Sequence, residues 1–250
     1  MTREEMRRRG AAQGMQLNQP VDASSETVPG LADFVAEVVY AGIWDRPHLT
    51  VEDRLLCTLS ALGLLQRFAQ LERMVWAALD HGLAPRSILE VFMQAGLYGG
   101  FDTTESAATC AHKVFQARGC KVPAEPPRTD TNETLDARGR ELMATLHGDR
   151  GQAGYAAPGN AVTGELYPAA IRYGYGELWF RPGLNHRQRM LCALASFTVL
   201  GLERQLEKFS ASALNVGLTR AEIIEAVIQT GPYGGFPRAL NGLAIVSSVL

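Results

Sequence analysis

The chain repeats itself. Residues 44–101 align without a gap on residues 179–236, and about 24 of roughly 58 aligned positions are identical. Both segments close on nearly the same pentapeptide, LYGGF at residues 97–101 and PYGGF at 232–236. One fold must therefore be built twice. The similarity extends upstream, where MRRRGAAQGMQL and LDARGRELMATL read as short amphipathic helices opening their halves. Residues 119–131, GCKVPAEPPRTDT, gather proline, charge and threonine without periodicity and mark a linker. The expected organisation is a first repeat at 1–118, the linker at 119–131 and a second repeat at 132–250. Segments 17–30 and 148–164 are rich in glycine, proline, serine and threonine, so a loop is expected after the first helix of each half.

Within each half the apolar spacing is helical. Leu55, Leu56, Leu59 and Leu62, and their counterparts Leu191, Leu194 and Phe197, recur at i, i+3 and i+4. Ile88, Val91, Phe92 and Ala95 do the same, as do Ile223, Ala226, Val227 and Thr230. Strand signals are nearly absent. Gly82 and Gly217 are placed to end one helix in each half, and Thr219 with Glu222 forms an N-capping pattern for the next. The fold expected is all-α, two tandem helical bundles.

A formal net charge of -2 leaves no electrostatic footprint for nucleic acid, and the run Arg7, Arg8, Arg9 is too short to make one. No stretch approaches the ~20 apolar residues that span a bilayer, and the amino terminus has no apolar core to act as a signal, so a cytoplasmic location is expected. Cys57, Cys110, Cys120 and Cys192 contain no Cys-x-x-Cys pair. His48, His81, His112, His147 and His186 lack metal-ligand spacing, and each reads as a surface or core residue. No metal and no cofactor is expected.

The second half carries GELWFRPGL (176–184), Arg189, ALNVGLTRAEIIEAVIQT (213–230) and YGGFPRALNG (233–242). It closely resembles the carboxymuconolactone decarboxylase family, whose members share the all-helical fold of alkylhydroperoxidase D. The first half resembles the same family more loosely through IWDRPHL, Arg54 and ALDHGLAPRSILEVFMQAGLYGGF. Family members are typically single-repeat chains in rings of six with three-fold symmetry. For a tandem chain, the resemblance implies a homotrimer that forms a pseudo-hexamer of repeats.

The resemblance also points to positions. Family decarboxylases carry a glutamate and a histidine four residues apart on the helix before the Gly82 or Gly217 turn, where both face the pocket. Here those positions hold Gln70 and Met74, and Gln205 and Phe209. The acid–base pair is replaced in both copies, and the cysteine pairs of the family's redox members are missing. A glutamine amide exchanges no proton near neutral pH but orients a carbonyl or carboxylate. Met74 and Phe209 would make the pocket wall apolar, suiting a larger or more aromatic substrate.

Other residues have two readings each. Arg54 and Arg189 either clamp a substrate anion or pair with a buried glutamate. Trp44 and Trp179 either wall a pocket or pack the core. Tyr98 and Tyr233 either offer a phenol or merely accompany glycines that let helices approach. Glu203, whose counterpart is Phe68, gives only the second half a carboxylate near the expected surroundings of Arg189, so that half is favoured for acid–base chemistry. Glu72 and Glu207 point away from the glutamines.

The leading functional reading is a cofactor-independent enzyme, a lyase or an isomerase or cyclase. Its small-molecule substrate would be an unsaturated or keto acid, a lactone or a polyketide-like compound. Gln205, Glu203, Arg189 and Tyr233 are the expected catalytic set. Gln70, Met74, Phe209, Trp44, Trp179, Arg54 and Tyr98 are the expected binding set. A non-catalytic binding or scaffolding module is the alternative, and a thiol peroxidase ranks last.

Overall fold

The computed structural model describes all residues except 22–27, 123, 126, 153–159 and 165. Among the described residues every regular element is helical. The first repeat runs through α1 (Arg3–Gln16), α2 (Leu31–Phe34), which continues as a π-helix over Val35–Trp44, α3 (Val51–Leu64), α4 (Phe68–Asp80), α5 (Pro85–Gly99) and α6 (Phe101–Ala117). The second repeats that order. It comprises α7 (Asn132–His147), α8 (Leu166–Ala169) with its π-helix Ala170–Glu177, α9 (His186–Leu200), α10 (Glu203–Ala213), α11 (Arg220–Gln229), α12 (Gly231–Gly234) and α13 (Phe236–Val249). The long α5 is thus represented by two helices in the second half, because Pro232 stands where Leu97 does and brings no backbone N–H.

Local signals account for the helix ends. Gly82 and Gly217 take φ of +84° and +85°, the left-handed turn that closes α4 and the stretch after α10. Thr219 and Glu222 form the expected capping box. Parts of both expected loops, and Pro123 and Pro126 of the linker, lie outside the described residues.

The opening helices differ from expectation in one respect. α7 buries Leu135, Leu142 and Leu146 as an amphipathic helix should. α1 has no apolar stripe, and its buried residues are Gly10 and Gly14. It docks backbone to backbone: a Cβ on Gly10 would lie 1.9 Å from the Ala36 carbonyl oxygen. Charge then fixes it on the outside, through Arg3 to Glu37 at 3.0 Å and Arg7 to Asp33 at 2.7 Å. In the first repeat the π-helix turns a residue inward at every fourth position, Ala36, Tyr40 and Trp44; in the second it buries Ile171 and half-buries Tyr175, and Trp179 follows in a 3-10 turn. The i→i+5 bonding, as in Asp45 N–H to Tyr40 O at 3.0 Å, widens the helix enough to keep these residues on one face.

The repeats meet along α3 and α9, and each core borrows from the other half. The first core takes in Leu184, Cys192 and Tyr233, and the second takes in Cys57, Leu49 and Tyr98. At the two ends of this seam lie matching ion clusters. Arg54 donates to Glu225 at 2.9 Å and to Gln229 at 2.9 Å, while Arg46 reaches Glu225 at 2.7 Å. Arg189 donates to Glu90 at 3.0 Å and to Gln94 at 3.2 Å, while Arg181 reaches Glu90 at 2.9 Å. These four arginines each meet a glutamate of the other repeat, and Arg86 adds a contact to Glu90 from within its own helix at 3.1 Å. Arg54 and Arg189 are fully buried, and Glu90 and Glu225 are 1% and 2% exposed.

A buried charge that loses its partner is left desolvated and uncompensated. Glu225→Ala is therefore expected to lower unfolding stability by about 3–5 kcal/mol in urea denaturation, with Glu225→Gln less damaging. A loss below about 1 kcal/mol would show that Arg54 finds water or another acceptor.

Candidate functional site

A cavity of about 580 Å³ opens between the π-helix of the first repeat and the start of α4. Its polar wall is Arg67, Gln70 and Arg73 from α4 and its N-cap, with Gln19 and Tyr40 opposite and Tyr233 supplied by the second repeat. Val35, Val39 and Leu62 form the apolar part. Two expected site residues, Gln70 and Tyr233, thus meet although they lie in different halves of the sequence. The Gln70 amide oxygen accepts from Arg73, and the Gln19 amide donates to the Arg73 carbonyl at 3.1 Å.

Tyr233 owes its position to the tryptophan before the R-P motif. The Trp44 indole N–H donates to the Tyr233 oxygen at 2.9 Å, and burial raises the phenol pKa above its ordinary value. Tyr98, its twin, is used differently. The Gln94 amide donates to the Tyr98 oxygen at 2.8 Å, whereas the matching Gln229 amide donates to Thr58 at 3.1 Å. Thr58 aligns with Ala193, so Gln94 has no hydroxyl on α9 to reach and turns to the phenol instead.

The corresponding region of the second repeat is filled with rings. Phe197 replaces Leu62, Phe209 replaces Met74, and their centroids lie 4.8 Å apart. Tyr98 packs on Phe197 at 4.5 Å and His147 on Phe209 at 4.7 Å. Gln205 sits half-buried on α10 and is not among the residues that line the first-repeat cavity.

Several expected roles are relocated by this geometry. Met74 and Phe209 are buried core residues and do not line the open cavity, because the inward face of α4 and α10 points them into the two bundle cores. Trp44 and Trp179 are likewise core residues. Arg54 and Arg189 take the second of their two readings, on Glu225 and Glu90. Glu203 is exposed and lines a separate small hollow with Arg238, apart from the partners of Arg189. Arg67 and Arg73 went unrecognised in the sequence because their counterparts are Leu202 and Lys208. The glutamates and glutamines of the seam were visible as identities, Glu90 with Glu225 and Gln94 with Gln229. Among the described residues no group of three His, Cys, Asp or Glu is placed to hold a metal ion. All four cysteines are free, and burial raises the Cys57 thiol pKa and pushes that of Cys192 up to about 12.

His147 is the polar member of the ring cluster. It is 2% exposed, with Nδ1 2.8 Å from the Ser212 hydroxyl and Nε2 3.0 Å from the Tyr175 hydroxyl. Ser212 gives its own proton to the Lys208 carbonyl at 2.9 Å, so Nδ1 carries the hydrogen and Tyr175 donates to Nε2. Burial, aided by Lys208 and Arg150, lowers the imidazole pKa to about 3. The unfolded chain, with an ordinary histidine, takes up a proton below about pH 6.5 that the folded chain refuses. Stability is then complete above that pH and falls by up to about 1.4 kcal/mol per unit as pH drops toward 3. His147→Asn, which cannot ionise, is expected to flatten this slope between pH 6.5 and 4 in urea titrations; parallel curves would contradict the assignment.

Comparison with known proteins agrees with this architecture. The profile of the Carboxymuconolactone decarboxylase family matches residues 29–113 and again 164–248. The chain is 35% identical over 78 residues to 4-carboxymuconolactone decarboxylase of Acinetobacter baylyi, covering 31% of this chain and 58% of that protein. It is 31% identical over 80 residues to nitrosuccinic acid decarboxylase npaB of Metarhizium robertsii, covering 31% of this chain and 54% of that protein. An uncharacterized 15.0 kDa protein of Paracoccus denitrificans is 36% identical over 80 residues, covering 29% and 60%. The chain thus spans between 54% and 60% of the length of these relatives. With both halves matched and one helical fold built twice, the chain belongs to the carboxymuconolactone decarboxylase family and carries its domain in tandem.

Proposed function

We propose that the protein is a cofactor-independent lyase of the decarboxylase type and that its reaction takes place in the first-repeat cavity. The observation that carries this reading is the convergence on one cavity of Gln70 and Tyr233, an amide and a protonated phenol from different repeats. Relatives named for decarboxylation of carboxymuconolactone and of nitrosuccinic acid support the reaction class.

Decarboxylation breaks the bond to the carboxylate carbon, releases CO₂ and leaves the electron pair on the substrate as an enolate. The protein's part is to hold the acid and stabilise that charge as it develops. Gln70 orients a substrate carbonyl through its amide N–H. Tyr233, its oxygen engaged by the Trp44 indole, directs its hydroxyl proton to the enolate and recovers a proton from water. Isomerisation or ring closure through the same enolate would use the same groups. A non-catalytic binding module is the competing reading, favoured by the ring-filled second repeat.

Gln70→Ala is expected to lower turnover of a decarboxylated acid by about tenfold or more while leaving the melting temperature unchanged. Gln205→Ala should keep nearly full activity. The reverse ranking would return the chemistry to the second repeat, and CO₂ release by neither the wild-type protein nor any variant would favour the binding module. For assembly we propose a ring of three chains, with six repeats about a threefold axis. Light scattering should give a mass about three times the 27.1 kDa of one chain; a monomer at micromolar concentration would contradict it.

A further inference from the structure

We infer that each chain binds a single amphipathic monocarboxylate: the carboxylate is held by Arg67 and Arg73 at the start of α4, and the apolar body lies against the first-repeat π-helix. The inference rests on the proposed reading of this cavity as the reaction site and narrows it to a substrate class.

The anion site is built from three observations. Arg67 and Arg73 both line the cavity, and among the described residues no aspartate or glutamate lines it and neither arginine forms an ion pair. Two guanidinium groups facing a half-enclosed space draw an anion into it. The helix they flank adds to this. α4 has no side-chain cap and no acidic residue in its first turn, so its leading N–H groups and the positive end of its dipole lack a protein anion. α10 also has no side-chain cap, but Glu203 occupies its first turn. Phe68 stands at that position in α4, leaving the place of the carboxylate to a ligand.

The rest of the cavity argues against a second acid group. Val35, Val39, Leu62 and Pro232 supply apolar surface, and Tyr40 and Tyr233 can donate to a neutral oxygen. Burial raises the pKa of both phenols, so they stay uncharged at neutral pH. A dicarboxylate would bury its second charge against this wall without a partner. Among the described residues the second repeat lacks the arginine pair. Leu202 replaces Arg67 and the bulkier Phe197 replaces the lining Leu62, so the expected stoichiometry is one ligand per chain rather than two.

Isothermal titration calorimetry of the full chain tests this with 4-phenylbutyrate, its uncharged amide and muconate, a dicarboxylate. The phenylbutyrate is expected to bind at one site per chain, and the amide and the muconate each at least about tenfold more weakly. Arg67→Ala and Arg73→Ala should each weaken phenylbutyrate by about tenfold with unchanged melting, since both side chains are exposed. Two equivalent sites per chain, equal binding of acid and amide, indifference to both arginine variants, or binding of none of the probes would overturn the inference. The readout is independent of turnover. Arginine-dependent binding without CO₂ release from any acid would overturn the decarboxylase reading alone, whereas decarboxylation insensitive to both arginines would overturn this inference alone.

Discussion

The exchange of buried arginines for buried glutamates across the seam is the constraint on which the rest depends. A guanidinium taken out of water costs several kcal/mol unless its partners are close and well aimed. Arg54 and Arg189 meet that condition only because Glu225 and Glu90 arrive from the other repeat. Their companions Arg46 and Arg181, from the R-P motif beside each tryptophan, close the same carboxylates from outside. The seam also explains why a pentapeptide is written twice: α5 and the α11–α12 pair each carry a tyrosine across into the other half's core, and the glycines beside it let the helices approach. Gly99 lies against Leu64 and Gly234 against Val199, where a Cβ would come within 2.3 and 2.9 Å.

From this symmetric frame the halves diverge at a few positions. Leu62, which lines the first-repeat cavity, is matched by Phe197, and Met74 of the first core is matched by Phe209, so the second core is richer in rings. Thr58 against Ala193 decides whether the seam glutamine leaves the phenol alone. Arg67 against Leu202 and Phe68 against Glu203 decide which helix start awaits an anion. A duplicated chain can divide its work in this way. The first copy supplies most of the described cavity, and the other contributes the tyrosine that completes it. His147 fits such a core, since a neutral imidazole with both nitrogens bonded packs among rings without bringing a charge.

Much of the fold was legible in the residues. The i, i+3, i+4 spacing marked the helices, the glycine and threonine signals marked their ends, and the gapless self-alignment marked the two halves. The π-helices escaped because their residues also satisfy a helical pattern, and only the hydrogen bonding separates the two. The docking of α1 escaped because it relies on glycines, which leave no apolar trace. For the site, the family resemblance led to Gln70 and the repeated pentapeptide to Tyr233, as separate candidates. Their meeting is a property of the seam, which no local pattern reports. Arg54 and Arg189 looked equally suited to substrate or structure, since an arginine's partners are set by what the tertiary fold brings within reach. The preference for the second half rested on Glu203, an exposed residue that lines a small hollow with Arg238 rather than joining the partners of Arg189.

The central claim is that neither repeat is a complete folding unit, each needing the other's charges and tyrosine. Producing residues 1–131 alone and following urea unfolding by circular dichroism tests it most directly. The lone fragment is expected to be helical but loosely packed with no cooperative transition, and to recover one when residues 132–250 are added. A sharp, independent transition of the lone fragment, matching that of the whole chain, would contradict it.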